Sequence, residues 1–240
     1  MSTTTTYPPQ VRLPGQAAAP AGPADMTMMY VMHHAFRRDL GRFATAVAET
    51  PLEDRATWKA LGARWDRFFT ILHHHHTMED EYIWPFLLER ADAHEREVLE
   101  AMEAEHSQID PLLTSVAEGI TALAADRLPE GAEDLRAALR VRVVATRDTL
   151  ARHLEHEETD AIAILQRHST TEDWHRVEKE QIGGNKVPVP LPFMVGWCAE
   201  GIPAKERAEI FGIVGPGFKV LWFLTRGGYR RRECKAFRYA

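Results

Sequence analysis

Two histidine and glutamate pairs with the same spacing, His75 with Glu79 and His153 with Glu157, most constrain how this chain can fold. In a helix, residues four apart lie about one turn apart on the same face, so each pair can direct an imidazole and a carboxylate toward one point. Both pairs fall in stretches where apolar residues recur every three or four positions, which is typical of helices packed in a bundle. The sequence therefore predicts helices that carry metal ligands within an apolar core.

The first pair belongs to a run of four histidines, residues 73–76. Successive helical residues are rotated by about 100° around the axis, so these four side chains cannot all face the same way. The apolar stripe on either side of the run selects one of them, since its members are Leu61, Trp65, Phe68, Leu72, His75, Glu79, Tyr82 and Phe86. We therefore expect His75 to face inward, and His73, His74 and His76 to face solvent or to support the ligands from outside.

Helical periodicity predicts four helices, over about residues 25–49, 53–90, 92–123 and 132–166. Pro85 and Pro111 lie inside the second and third helices, and each predicts a bend because proline removes a backbone hydrogen bond. His33, rather than its neighbour His34, shares the apolar stripe of the first helix, and His106 shares that of the third. The pattern predicts an all-α fold, an up-down-up-down four-helix bundle.

The positions of the polar residues in the predicted helices agree with this topology. In such a bundle, two residues at equal height are equidistant from the turn that joins their helices. The midpoint between His33 and His75 is residue 54, and the two later midpoints fall between residues 91 and 92 and between residues 130 and 131, all in predicted connections. We therefore expect six candidate metal ligands at one level of the bundle: His33, His75, Glu79, His106, His153 and Glu157.

Composition excludes several function classes. The chain has 240 residues, a net charge of −6 and no basic face of the kind that nucleic acid requires. No run approaches the roughly 18 apolar residues of a membrane-spanning helix, and the first residues lack the pattern of a signal peptide. Cys198 and Cys234 are the only cysteines, and their spacing is not that of a metal site. These features predict a cytoplasmic protein without a transmembrane segment.

The N-terminal segment differs from the helical part. Residues 1–24 contain four consecutive threonines and five prolines, with few large apolar residues. Such a segment buries too little apolar surface to offset its ordering entropy, so we expect it to be disordered and the bundle to occupy residues 25–170.

Residues 171–240 are predicted to form an extension packed on the bundle. A loop rich in glycine and proline spans about residues 182–192, and one or two short helices fit between Ala204 and Leu224. Several large aromatic residues in this part would be costly to leave in water. The basic stretch from Arg226 to Arg232 fits a solvated terminus or an acidic partner.

Mixed imidazole and carboxylate donors from four helices suit a first-row transition metal. Two carboxylates able to bridge favour two ions over one, and six donors exceed the four of a structural zinc site. Iron is therefore the predicted metal, and the sequence has no cysteine spacing typical of an iron–sulfur cluster. Asp80 and Glu158, which follow the two glutamates, can orient a ligand histidine from outside.

A ferritin-like diiron carboxylate site is the nearest alternative. That site needs two E-x-x-H motifs. Glu103 with His106 is the one pair in the bundle that qualifies, because Leu150 stands three residues before His153. The alternative is therefore disfavoured.

Taken in order, the motifs resemble a known family. They are His33 followed by Ala35-Phe36-Arg37-Arg38-Asp39-Leu40, His75-x-x-x-Glu79-Asp80 with Trp84-Pro85, Glu105-His106, and His153-x-x-x-Glu157-Glu158. This set, over about residues 25–168, resembles the hemerythrin-like, or HHE cation-binding, domain. The resemblance implies a four-helix bundle holding a non-haem diiron centre. It also implies that His33, His75, His106 and His153 are nitrogen ligands. Glu79 and Glu157 would bridge the two irons.

One departure from the family bears on function. Oxygen-carrying hemerythrins have H-x-x-x-H on the third helix, and the position four before His106 is Met102. One iron would then have a ligand fewer, which favours reactivity over reversible storage. We therefore predict a protein that binds or activates dioxygen or peroxide, as an oxidase, oxygenase or peroxidase with an unidentified electron donor. The alternative is a non-catalytic sensor or store for oxygen, nitric oxide or iron.

Overall fold

The structure is a computed structural model that describes residue 7, residues 9–182 and residues 189–240. Its α-helices are α1 (Thr27–Glu49), α2 (Arg55–Met78), α3 (Trp84–Leu88), α4 (Ala93–Ala124), α5 (Ala132–His156), α6 (Ile162–His168), α7 (Thr171–Arg176), α8 (Leu191–Ala199), α9 (Ala204–Val214) and α10 (Pro216–Ala236). Three π-helical segments span Glu79–Ile83, Glu157–Ala161 and Val177–Ile182. The part of the chain that the structure describes contains no strand, and the predicted all-α fold is confirmed.

Four long helical stretches form the bundle. They are α1, α2 continued by α3, α4, and α5 continued by α6, and each packs against its sequence neighbours, with α5 closing the ring on α1. Local signals set their starts: Asp54 accepts a hydrogen bond from the Thr57 backbone N–H, and Asp92 forms a capping box with Glu95. Large aromatic and aliphatic side chains, including Trp65, fill the core below the polar level.

Two of the four bundle helices change from α to π winding, and each change begins at a glutamate of the predicted site. Glu79 starts the first π segment and Glu157 starts the second. Pro85 lies just beyond the first segment, so the irregularity predicted there appears as a π turn ahead of the proline. No proline accompanies the second π turn, and α4 remains continuous through Pro111. Such turns re-aim the side chains that follow them and are frequent at functional sites.

The C-terminal extension packs on the bundle through α8 and α10, which contact α1 and α2. A buried charge network joins these elements. Asp39 of α1 accepts a 2.7 Å hydrogen bond from the indole N–H of Trp197 and forms an ion pair with Arg64 of α2. Arg64 also donates to Glu233 of α10 at 2.8 Å. Because unpaired charges are costly inside a protein, each member depends on the others being in place.

The N-terminal segment departs from the predicted disorder over residues 9–24, where the chain has no helix but lies against the bundle. Leu13 and Ala24 are buried. The backbone N–H of Ala17 donates to Glu158 at 2.7 Å, and the amide side chain of Gln166 pairs with both backbone polar groups of Ala24. Polar contacts and the buried side chains of Leu13 and Ala24 hold this coil. A shortage of large apolar residues was therefore a poor guide to disorder. Residues 1–6, residue 8 and residues 183–188 of the predicted 182–192 loop lie outside the described residues.

Candidate metal centre

Seven buried side chains from the four bundle helices converge at one level and form two groups of donors. The first group contains His33, His75, Glu79 and Glu157, and the second contains His76, His106 and His153. Within each group the ligand atoms lie within 4.8 Å of one another. All six predicted ligands are therefore brought together, and a seventh residue, His76, joins them.

The histidines of each group approach each other through their Nε2 atoms. The Nε2 atoms of His33 on α1 and His75 on α2 are 3.3 Å apart. Those of His106 on α4 and His153 on α5 are 3.2 Å apart. All four side chains are at most 6% exposed. Each adjacent pair of helices thus directs two imidazole nitrogens at a common point.

The two glutamates lie between the groups. One carboxylate oxygen of Glu79 is 3.1 Å from His75 Nε2, and its other oxygen is 3.5 Å from His106 Nε2. Oε2 of Glu157 is 3.2 Å from His33 Nε2 and 3.9 Å from His153 Nε2. Each carboxylate therefore faces histidines of both groups, which is the position that a bridging ligand requires.

His76 is the residue that sequence reasoning missed. Its ring stacks on that of His106 at a centroid distance of 3.9 Å and meets His153 edge to face at 5.3 Å. The expectation that only His75 of the run faces inward was wrong, because α2 packs against α1 on one side and α4 on the other. Two adjacent residues about 100° apart can then lie on either side of the inward direction. His73 is exposed, as expected.

Three carboxylates outside the donor groups fix the orientation of three histidines. Nδ1 of His33 donates to Glu158 at 2.9 Å, Nδ1 of His106 donates to Asp80 at 2.8 Å, and Nδ1 of His153 donates to Glu105 at 2.8 Å. Each carboxylate engages Nδ1 and so turns Nε2 of its ring toward the centre, where Nε2 is placed to bind a metal ion once it carries no proton. Carboxylates placed in this way raise the basicity of metal-bound imidazoles.

Burial and mutual proximity shift the pKa values of the ionisable side chains in this cluster. Burial, followed by the proximity of other histidines, lowers the pKa of His75 and His76 well below the usual range. Burial and the charge of Glu157 raise the pKa of Glu79 well above its usual range. Burial opposes ionisation of Glu157, but His33 and neighbouring histidines outweigh it and lower its pKa to about 2. The neutral imidazoles of His75 and His76 are ready to act as ligands. Burial opposes the charge of His33, but Glu157 and Glu158 outweigh burial and raise its pKa to about 9, so His33 must lose a proton to bind a metal ion.

Several polar atoms of the cluster are buried without a hydrogen-bond partner. They are both ring nitrogens of His76 and both carboxylate oxygens of Glu79 and Glu157. Leaving such groups unsatisfied costs roughly 1–3 kcal/mol each, and more when they are charged. Their donor chemistry, imidazole nitrogen and carboxylate oxygen, fits transition-metal ions, which would satisfy these atoms.

A sequence profile of the hemerythrin HHE cation-binding domain matches residues 24–165, which is more than half of the chain. This chain belongs to that family. The match covers the bundle and ends within α6, so α7 to α10 of this HHE protein lie outside it. Searches of curated proteins and of solved structures give no significant match.

Family membership and the buried histidine and glutamate cluster together indicate that this HHE domain binds metal ions. Among the helices of the described residues, none combines the length and apolar character needed to cross a membrane.

The hydroxyl of Tyr30 is also buried without a hydrogen-bond partner. Burial and the charges of Glu158 and Glu157 raise the pKa of Tyr30 far above its usual value.

Proposed function

We propose that this protein holds a non-haem diiron centre that binds dioxygen or peroxide. The observation that carries the proposal is the position of Glu79 and Glu157, each of which faces histidines of both donor groups. A carboxylate that lies between two groups of imidazoles is suited to bridge two ions, and five imidazoles with two carboxylates exceed what one ion takes. Two irons, when bound, would supply one- and two-electron redox chemistry toward small oxygen ligands.

The residues of the chain would hold and shield this centre. His33, His75 and the bridging glutamates would take one ion, while the second donor group and the same glutamates would take the other. Glu158, Asp80 and Glu105 hold the Nδ1 protons of their histidines. Met102 and other buried apolar residues above the donors limit the access of water. Tyr30 offers a phenol proton that is not committed to another group.

His76 changes the sequence-based argument about reactivity. That argument took the missing histidine at Met102 to leave one iron short of a ligand. Met102 is fully buried, and His76 forms a set of three imidazoles with His106 and His153. A filled set favours the second candidate function, a sensor or store that binds oxygen, nitric oxide or iron without turnover.

Iron quantitation with absorption spectra tests the proposal. Protein made in iron-replete cells should contain two irons per chain, and the reduced form, prepared anaerobically, should change its visible spectrum when it is mixed with oxygen-saturated buffer. A reproducible content of one zinc per chain would exclude the diiron proposal.

Stopped-flow mixing separates the two candidate functions. An oxygen-dependent spectrum that reverses when oxygen is removed identifies a ligand-binding protein. Oxidation that does not reverse and that consumes peroxide, and that occurs again after a reductant is added, identifies an enzyme.

A further inference from the structure

The hairpin of α9 and α10 presents a large apolar surface to solvent. From Pro216 to Gly228 no residue of α10 is buried, and Ile210 is the one buried residue of α9. Five large apolar side chains around the turn are between 40% and 73% exposed: Ile213, Phe218, Val220, Phe223 and Leu224. An apolar group of this size rarely stays in water, and it marks a surface that something covers.

The hairpin is a fixed element of the fold. The rings of Phe211 and Trp222 pack with their centroids 5.6 Å apart and join α9 to α10. At the other end of α10, Tyr229, Glu233 and Ala236 are buried against the rest of the protein. The C-terminal half of the helix is therefore anchored, and the apolar half projects beyond the anchor.

Positive charge follows the apolar residues along the same face of α10. Arg230 and Arg231 lie seven residues after Phe223 and Leu224, which places them two turns, or about 10 Å, further along one side of the helix. Residues 216–240 contain seven lysines and arginines and one acidic residue, in a chain whose net charge is −6. The cationic end of the molecule is thus set against an acidic remainder.

Four arginines of α10 are free of ion pairs within the described part of the chain. Among the described residues, Arg226, Arg230, Arg231 and Arg232 have no ion-pair partner. The guanidinium of Arg226 lies over the rings of Trp222 and Phe223, at 5.0 and 4.6 Å from their centroids. The charges are therefore available to an external anionic group.

We propose that the α9–α10 hairpin docks this protein on the surface of a bilayer that contains anionic lipids. The apolar turn enters the boundary between headgroups and acyl chains, about 5–10 Å deep. The arginines, about 10 Å along the helix, then lie at the level of the lipid phosphates, and Trp222 lies at the interface that tryptophan favours. A second copy of the chain fits this face less well, because symmetric pairing would bring two sets of cations together.

Vesicle co-sedimentation with the full-length, metal-loaded protein tests this proposal. Vesicles of phosphatidylcholine with about 30% phosphatidylglycerol should bind the protein at low salt, and vesicles of phosphatidylcholine alone should bind it far less. Brominated lipids should quench tryptophan fluorescence on binding. The other five tryptophans are buried, so Trp222→Phe should abolish the quenching while binding persists.

Two variants separate the apolar and charged contributions. Phe223→Ser with Leu224→Ser should abolish binding, and Arg230→Gln with Arg231→Gln should weaken it about fivefold for each cation removed. Val141→Ser, at an exposed valine of α5, is the matched control and should bind as the wild type. Equal sedimentation of all variants would overturn the proposal. A wild-type dimer that ignores vesicles, and becomes monomeric in the Phe223 and Leu224 variant, would assign the face to a second copy instead.

Discussion

His75 and His76 divide the two donor groups between neighbouring residues of one helix. His75 lies against His33 of α1, and His76 lies against His106 of α4. Both side chains are buried, yet only the nitrogens of His76 are wholly without hydrogen-bond partners. The pair shows how one helix can contribute to two donor groups at once.

His76→Ala should remove one imidazole from the three-histidine group and leave the other group intact. We expect the affinity for one of the two ions to fall by more than about 100-fold, since even the loss of a supporting carboxylate costs 10- to 100-fold. Metal analysis after dialysis against a chelator measures this loss. His73→Ala, at an exposed position of the same run, is the control and should keep its metal. Equal metal content in the two variants would show that His76 is not a ligand.

Glu105 supports two histidines at once, since it accepts from Nδ1 of His153 at 2.8 Å and from Nδ1 of His156 at 2.9 Å. Glu105→Gln keeps the shape of the side chain but removes the charge that holds the Nδ1 proton of His153. Metal affinity should fall about 10- to 100-fold, as measured by competition with a coloured chelator. Glu103→Gln, two residues away on the same helix, should have no such effect.

At the scale of helices, apolar periodicity was sufficient to predict the bundle and the level of the six donors. The spacing of His33, His75 and His106 about the turns carries that information. A single apolar stripe could not identify His76, because it assumes that a helix faces the core in one direction. The π turn at Glu157 has no nearby proline that would predict it from sequence, and it forms where the helix packs around the cluster. The contacts of the N-terminal coil are polar and long-range, so no local pattern predicts them.

Glu95 connects two of these helices and makes stability depend on pH. It belongs to the capping box of α4 and pairs with Arg167 and His168 of α6. Although its partial burial opposes ionisation, the hydrogen bonds to the Asp92 backbone, Arg167 and His168 lower its pKa from 4.5 to about 2. A lowered pKa in the folded state stabilises the protein above pH 4.5, and this contribution is lost as the pH falls from 4.5 toward 2.

Glu95→Gln should therefore lower the free energy of unfolding by about 1 kcal/mol at pH 7, and the difference from wild type should shrink as the pH falls below 4.5. Urea unfolding at a series of pH values measures both. Glu97→Gln, at an exposed neighbour on α4, should differ little from wild type at any pH. A difference that is independent of pH would mean that the charge of Glu95 is not responsible.

On the scale of the whole molecule, segments outside the bundle are tied to the ligand residues. The backbone of Ala17 donates to Glu158, which also binds Arg37 and holds Nδ1 of His33. On the other side of α1, the buried pair of Asp39 and Arg64 fixes the C-terminal extension. The first helix is thus held from both sides while it presents His33 to the centre.

Deletion of residues 1–20 should lower both thermal stability and metal affinity, because Glu158 loses one of its donors and Leu13 no longer covers the bundle. We expect a loss of about 1–3 kcal/mol from the burial of Leu13 alone. Differential scanning calorimetry and metal competition measure the two effects. Deletion of residues 1–8 removes none of these contacts and is the control. Unchanged metal affinity in the longer deletion would show that the coil does not support His33.

The bundle consists of two helical hairpins with one pattern: a histidine on the first helix, then His-x-x-x-Glu and a π turn on the second. The two hairpins differ at the residue that follows the histidine of each His-x-x-x-Glu motif. His76 follows the first of the paired histidines, whereas Leu154 follows the second. The two donor groups therefore differ in composition, with three imidazoles in one and two imidazoles and two glutamates in the other. If two ions are bound as proposed, a small exogenous ligand should bind beside His33 and His75, where the chain supplies one imidazole fewer.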